Sequence, residues 1–276
     1  EINSYRVNKF IHSPYAEINY QLADKLFVNG GLKADKVDLT INHRVQHVSS
    51  GKESINKFYI LPSLNAKYDI NNKYSLRLGL SKTYTLPQSK EYSPYQYVNI
   101  SFVSQGNPNL IPSDNYNADL KWDFYLSPSE LISVTGFYKH IVNPIARVDI
   151  GNSAGLITYN NISDFATVGG AELEIRKNLF NFVESGIEKV NRLSVGLNTS
   201  YIYTDLVVRY TDNSGQPTSR NTQLEGAAPF IVNFDISHNY TSGDLSFVNS
   251  IVFNYFSDRI HTISSLDGYK DIIEQG

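Results

Sequence analysis

The chain has 276 residues, 24 Lys plus Arg against 27 Asp plus Glu and a formal net charge of -3, so its charge gives no reason to expect a nucleic-acid partner. Its 31.1 kDa could bury one large core or two small ones, while a mean hydropathy of -0.30 is too polar for a helical membrane protein. No run approaches the roughly 18 apolar residues of a membrane-crossing helix. With 0 Cys there is no disulfide framework, thiolate metal site or Cys nucleophile, and 0 Met in a chain starting at Glu1 points to a mature product or, preferably, a piece of a longer polypeptide.

Period-two alternation runs through the chain. Ala16, Ile18 and Tyr20 oppose Tyr15, Glu17 and Asn19; after a turn at Ala23-Asp24, Leu26, Val28, Gly30, Leu32 and Ala34 oppose Phe27, Asn29, Gly31, Lys33 and Asp35. Pro62, Leu64, Ala66 and Tyr68 form one side of the next strand, and beyond Asn71-Asn72 come Tyr74, Leu76, Leu78 and Leu80. Tyr116, Ala118, Leu120, Trp122 and Phe124 oppose Asn117, Asp119, Lys121 and Asp123, and across the turn at 126–130 lie Ile132, Val134, Gly136 and Tyr138. Ala171, Leu173 and Ile175, then Leu193, Val195, Leu197 and Tyr201, continue the pattern; Phe230, Val232, Phe234 and Ile236 pair with Leu245, Phe247, Ile251 and Phe253 around Thr241-Ser242-Gly243. About ten strands result. Turns of four or five residues at 22–25, 69–73, 126–130 and 241–244 interleave with long loops at about 43–56, 85–113, 147–160 and 208–226. Residues 178–191 read as a longer turn with room for a little helix.

Alternation alone also fits a soluble sandwich. Length and charge placement separate the two: soluble strands average about five or six residues and membrane-crossing strands about nine to eleven, and most segments here are of the longer kind. No Lys, Arg, Asp or Glu occupies the apolar register of these strands, as a cost of roughly 2–4 kcal/mol for Arg or Lys on a lipid face would enforce. Tyr20, Tyr68, Tyr74, Tyr116, Trp122, Phe124, Tyr138 and Tyr240 sit at strand ends, where interfacial aromatic girdles belong. The expectation is an all-β, antiparallel transmembrane β-barrel, with about ten strands of a larger barrel present.

The stretch Tyr74-Ser75-Leu76-Arg77-Leu78-Gly79-Leu80-Ser81-Lys82-Thr83-Tyr84-Thr85-Leu86-Pro87 is followed by Gly106-Asn107-Pro108-Asn109-Leu110-Ile111-Pro112 and Ala118-Asp119-Leu120-Lys121-Trp122. Phe137-Tyr138-Lys139, Asn143-Pro144-Ile145, Tyr159-Asn160-Asn161 and Gly169-Gly170-Ala171-Glu172-Leu173-Glu174 come next. In this order they resemble the C-terminal barrel of TonB-dependent outer-membrane receptors, covering about 57–177 well and the flanks more loosely. The usage of Asn, Lys and Tyr is reminiscent of Bacteroidota members. The resemblance implies a bacterial outer-membrane location, a barrel of twenty-two strands, an N-terminal plug domain and a segment engaging a TonB-type energy-transducing protein. Plug and segment are not visible here, and the final DIIEQG lacks the terminal aromatic usual in such barrels, so the chain, 1–276, reads as partial barrel wall.

In the loop of about 85–113, Tyr92, Tyr95, Tyr97 and Phe102 stand among Ser, Gln and Asn, a mixture suited to ligand stacking and hydrogen bonding. Their bland alternative is packing of the loop on itself. The lumen register, with Arg77, Asp119, Lys121, Asp123, Glu172, Glu174, Arg176 and Asp235, is expected to meet the plug and pair internally; lining a solute path is the alternative. Gly151-Asn152-Ser153-Ala154-Gly155 matches a nucleophile elbow formally, but strand-like residues rather than a helix follow, so no catalysis is expected. His43 and His47 lie four apart, yet their neighbours read as strand edge and loop, so no metal site is expected, and no pattern demands a cofactor.

The expected function is a receptor that imports a scarce solute, such as an iron chelate, cobalamin, glycan or peptide. Its expected partners are the lipid bilayer, its own plug, the TonB-type protein, and a surface lipoprotein or other outer-membrane proteins. A non-transporting assembly barrel is the runner-up, and a barrel hydrolase a weaker third.

Overall fold

The computed structural model describes residues 4–45, 49–98, 100, 102–151, 155–184, 189–211, 216–265 and 269–276. Wall strands follow one another as an antiparallel meander: β1 (Ser4–His12), β2 (Tyr15–Ala23), β3 (Leu26–Val45), β4 (Ser49–Asp69) and β5 (Tyr74–Thr85). Between β5 and the next wall strand lie a single helical turn, α1 (Ser89–Tyr92), and two short strands, β6 (Gln96–Val98) and β7 (Val103–Gln105). The wall resumes with β8 (Ser113–Ser127) and β9 (Glu130–Val142), departs through β10 (Ile145–Asp149) and β11 (Leu156–Asn161), and returns as β12 (Phe165–Glu184) and β13 (Lys189–Thr211). Last come β14 (Pro217–Thr222), the wall pair β15 (Phe230–Ser242) and β16 (Leu245–Phe256), and the outlying β17 (Arg259–Ser264) and β18 (Ile272–Glu274).

β1 and β2 pair with successive halves of β3, His12 with Lys36 and Tyr15 with Lys33, so they are one wall strand interrupted at Ser13-Pro14. Counted this way, among the described residues the wall has ten strands, as the alternation predicts, and its edges, β1/β2 and β16, do not pair with each other. Proline explains the interruption, because it supplies no N–H to a ladder. Short connections sit at one end. Asn71 Oδ1 accepts from the Lys73 and Tyr74 N–H groups at 2.8 and 3.1 Å, and Gly243 takes φ 56, a conformation open to residues without a Cβ.

Two expectations fail. Of the expected long loop at 43–56, residues 43–45 and 49–56 are strand: β3 and β4 stay paired from Leu26–Tyr68 to Val45–Ser49, so Ser and Gly there continue a ladder instead of breaking it. Residues 178–184 and 189–191 are likewise strand, paired from Phe180–Leu193 to Glu184–Lys189 past an irregularity between Asn178 and Phe180, and no helix forms in them.

These long strands invert their polarity partway up. On β3, Leu26, Val28, Leu32 and Ala34 share one face with Lys36 and Asp38, while Lys33 and Asp35 share the other with Val37, Leu39 and Ile41, which are 0%, 3% and 0% exposed. On β13, Leu193, Val195, Leu197 and Tyr201 continue into Asp205 and Arg209, whereas Ser194, Asn198 and Ser200 give way to buried Leu206 and Val208. Above the switch, the second sheet, in order β18-β17-β10-β11-β7-β6, covers the inner face as a cap. Its Ala146, Val148, Ile260 and Ile263 pack on Ala166, Leu206 and Val208, and its Tyr159, with Tyr92 and Leu110, packs on Leu39, Ile41 and Ile55.

β4 and β5 pair only from Ser63–Ser81 to Asp69–Ser75, so above Pro62 the two strands part. Tyr84 spans the gap, its ring stacked on Tyr59 at 3.9 Å and its hydroxyl donating to Asp35 Oδ2 at 2.9 Å.

Outward Leu120 and inward Asp119 are adjacent and both exposed. In the complete protein embedded in vesicles, Leu120→Arg is expected to cost about 2–4 kcal/mol of folding stability and Asp119→Arg far less. Urea unfolding would show it, and equal losses would contradict the assigned faces.

Candidate functional site

The inner face below the switch carries an alternating chain of charges. Arg77 on β5 contacts Asp123 Oδ2 at 3.1 Å; Lys121 on β8 lies 3.7 Å from Asp123 Oδ1 and 3.8 Å from Glu174 Oε2; Arg176 reaches Glu174 Oε1 at 2.8 Å. The link from β8 to β12 crosses β9 where its inward residues are the small Ser133 and Thr135, which leave the long side chains room to meet. Asp123, 1% exposed, also accepts from Ser75 Oγ at 3.2 Å and Tyr125 OH at 3.4 Å. Five of the eight lumen residues singled out from sequence therefore converge. Asp119 and Glu172 stand exposed on the same face, and Asp235 folds over Gly196, where a Cβ would come within 2.1 Å of its carboxylate.

The four loop aromatics divide. Tyr92 is 5% exposed inside the cap core, its hydroxyl 3.4 Å from the Ser54 carbonyl, so it has little surface to offer. Tyr95 and Tyr97 cluster with Tyr5, at ring distances of 5.5 Å for Tyr5–Tyr95 and 6.2 Å for Tyr95–Tyr97, and the Tyr95 hydroxyl donates to the Arg44 carbonyl at 3.3 Å. Burial, and then the neighbouring Tyr5 phenol, pushes the Tyr97 hydroxyl well above the usual tyrosine range. Phe102 stands apart, edge-on to His261 at 5.9 Å.

Phe102 thereby marks a cluster that the sequence does not announce. Arg147 donates through Nε to Glu225 Oε1 at 2.5 Å and through NH1 to His261 Nε2 at 2.8 Å. Arginine can only donate, so Nε2 is the acceptor, Nδ1 carries the proton, and Nδ1–H donates to Thr262 Oγ1 at 2.8 Å. Burial, with the adjacent Arg147 cation second, holds the His261 pKa below its ordinary value.

The short marks that carry the family resemblance also meet. Asn107 donates to the Tyr159 carbonyl at 2.9 Å and to Asn160 Oδ1 at 2.7 Å. Asn161 accepts from the Ile111 N–H at 2.9 Å and donates to the Ile111 and Asn143 carbonyls at 3.0 and 2.8 Å. A Cβ on Gly106 would lie 2.0 Å from the Ser93 carbonyl oxygen, so only glycine fits that approach. Asparagine suits this junction because one side chain donates and accepts at once. Ser153 and His47 lie outside the described residues, and Leu156–Asn161 after the elbow-like motif is strand; His43 is buried on β3, 3.7 Å from Glu53.

An apolar outer face, a polar inner face and long strands joined by short turns at one end define the wall of an outer-membrane β-barrel. The chain belongs to the TonB-dependent receptor-like β-barrel family, whose description, "TonB dependent receptor-like, beta-barrel", matches residues 2–270. Barrels of this family are bacterial outer-membrane proteins, and this wall is such a part. Its fold is similar to that of the ferric yersiniabactin uptake receptor FyuA from Yersinia pestis, with TM-score 0.63, 11% identity, and 94% of this chain and 36% of that one covered. It is also similar to the copper transporter OprC (0.63, 13%, 97% and 40%) and to the FrpB iron transporter from Neisseria meningitidis, F3-3 variant (0.54, 12%, 98% and 36%). The chain thus spans well under half the length of these proteins, and at such identities the likeness concerns fold alone. No curated protein sequence matches it.

Asn161→Ala is expected to weaken the junction by about 1–3 kcal/mol, because it leaves the Ile111 backbone groups unpaired. Amide exchange should quicken at 106–112 and stay unchanged at 116–125. The His261 arrangement has a pH signature as well. A depressed histidine pKa means that the folded state binds fewer protons, so the contribution is complete above about pH 6.5 and is lost as pH falls below it. Exchange in β10 and β17, corrected for intrinsic rates, should rise on acidification, and His261→Gln should abolish that rise.

Proposed function

We propose that the chain forms part of the wall and extracellular surface of a TonB-dependent receptor that imports a scarce solute across the outer membrane. The observation that carries this reading is the pairing of a charged, polar inner face with a folded, aromatic-bearing cap above it, within a wall of this family. A passive pore would need the first without the second. In this reading Tyr95, Tyr97 and Phe102, with Tyr92 supporting them from the core, present the ligand-contacting surface. Arg77, Asp119, Lys121, Asp123, Glu172, Glu174, Arg176 and Asp235 meet a plug domain contributed by sequence outside the 276 residues. Energy comes from a TonB-type protein acting on that plug.

The structural relatives are a ferric yersiniabactin uptake receptor, a copper transporter and an iron transporter. These support a scarce nutrient as cargo, while iron chelate, cobalamin, glycan and peptide all remain within the class. Loop aromatics flanked by Gln and Asn suit each of them, since flat faces stack and amides adapt.

A strain lacking the receptor, supplied with the complete gene, should regain growth on one of these four solute classes given at limiting concentration. An uncoupler of the proton-motive force should abolish the gain. Combined Tyr95→Ala and Tyr97→Ala substitutions should raise the required concentration about tenfold, equivalent to about 1.4 kcal/mol of binding. Growth restored on none of them, together with co-purification in a complex of other outer-membrane proteins, would favour the assembly barrel instead.

A further inference from the structure

Beyond Val142 of β9 and Phe165 of β12 the pairing of these two strands ends, while β13 runs on to Thr211 beside β14. A recess of about 650 Å³ forms there, within the roughly 300–1,000 Å³ of small-molecule sites. Buried Val148, Val208 and Ile162 lie beneath it, and Ile111, 45% exposed, presents its apolar surface. At its rim, Asp164 and Arg209 form an ion pair at 2.6 Å with side chains 65% and 67% exposed. Arg209 shares the register of outward Leu193, Val195, Leu197 and Tyr201, so the recess opens to the side of the barrel.

Its height is set by the rings directly below. On the outer face Tyr116 lies 6.4 Å from His140, and His140 lies 5.2 Å from Phe165, an aromatic belt of the kind found at membrane interfaces. Phe165 follows Asp164 in the chain, so the recess begins one residue above that belt, at the level of lipid headgroups.

The lining identifies what would fit. The side-chain amides of Asn109 and Asn143 and the NH2 group of Asn160 face no protein hydrogen-bond partner among the described residues, although all three line the recess. An amide offers a donor and an acceptor together, matching a hydroxyl, which is both. Among the described residues Arg209 is the one cation in the lining and Asp164 already offsets it, so an anionic group gains little here. Acyl chains are unsuited to amide walls, since leaving such groups unpaired costs about 1–3 kcal/mol each. The exposed aliphatic side chain of Ile111 suits the C–H face of a sugar ring. We propose that this recess binds the neutral saccharide portion of an outer-leaflet glycolipid, which the sideways opening at headgroup height favours over a free sugar.

The test uses the complete receptor in detergent, titrated with three probes: a rough-type lipopolysaccharide of defined core, the core oligosaccharide released from it, and lipid A alone. Wild type should bind the lipopolysaccharide at least about tenfold more tightly than lipid A, a difference of about 1.4 kcal/mol. The exposed pair substitution Asp164→Ala with Arg209→Ala, and separately Asn109→Trp, which fills the recess, should erase that preference while solute import continues at wild-type level. Equal affinity for lipopolysaccharide and lipid A would overturn the proposal, as would a preference untouched by both variants. Core oligosaccharide binding as tightly as the intact glycolipid would overturn the assignment to a membrane source.

Discussion

The constraint on which the rest depends is that each wall strand has two faces in two solvents, and the solvents change places at the outer surface of the membrane. Below that level the outer face meets hydrocarbon and the inner face is polar; above it the outer face meets water. A strand with fixed side-chain parity can satisfy both regimes only by reversing its pattern, as β3 does between Ala34 and Val37 and β13 does around Asp205. Once Val37, Leu39 and Ile41 point inward, something must cover them, because burying each such side chain is worth about 1.5–3 kcal/mol. The cap is the consequence.

Packing and polar contacts divide the work above and below the switch. Above it, two apolar clusters hold the cap to the wall at separate places, one on β12 and β13 and one on β3 and β4, while the Asn107 and Asn161 bonds fix its register. Below it, the charge chain consists of half-exposed pairs, each worth about 0–1 kcal/mol, so it contributes little to stability. Asp123 is the exception in burial: Ser75, Tyr125 and Arg77 all meet its Oδ2, while its Oδ1 has Lys121 only at 3.7 Å. The inner face is thus chemically specific without being a rigid core.

How much was legible follows from the range of each interaction. Tyr116 to Phe124 declare a strand within nine residues, because alternation is local, and the ten-strand wall follows from repeating that reading. Val37, Leu39 and Ile41 alternate just as clearly, but their parity belongs to a face that only the cap explains, so the alternation read from sequence stops at Asp35. Ser49, Ser50 and Gly51 suggested a loop where the β3 partner imposes a ladder. Of the candidate site, the lumen charges were readable from parity alone. The Arg147 cluster joins 147 to 225 and 261, and nothing nearby in the chain signals those distances. GNPNL was recognisable as a mark and silent as chemistry until Asn160 and Asn161 stood beside it.

The cap's pairing also dictates an order of events. Its strands join residue 103 with 156 and 148 with 263 in parallel, the arrangement that cannot be made by a hairpin. Everything between those residues, including the hairpins β12–β13 and β15–β16, has to be in place before the ends can meet, and closing such spans is slow compared with zipping a hairpin. The wall strands can pair hairpin by hairpin, but these parallel pairs can close only after the chain between them is placed. A receptor inserted yet incompletely matured would therefore be a barrel with an open, apolar-lined mouth, conspicuous to any quality control that recognises exposed greasy surface.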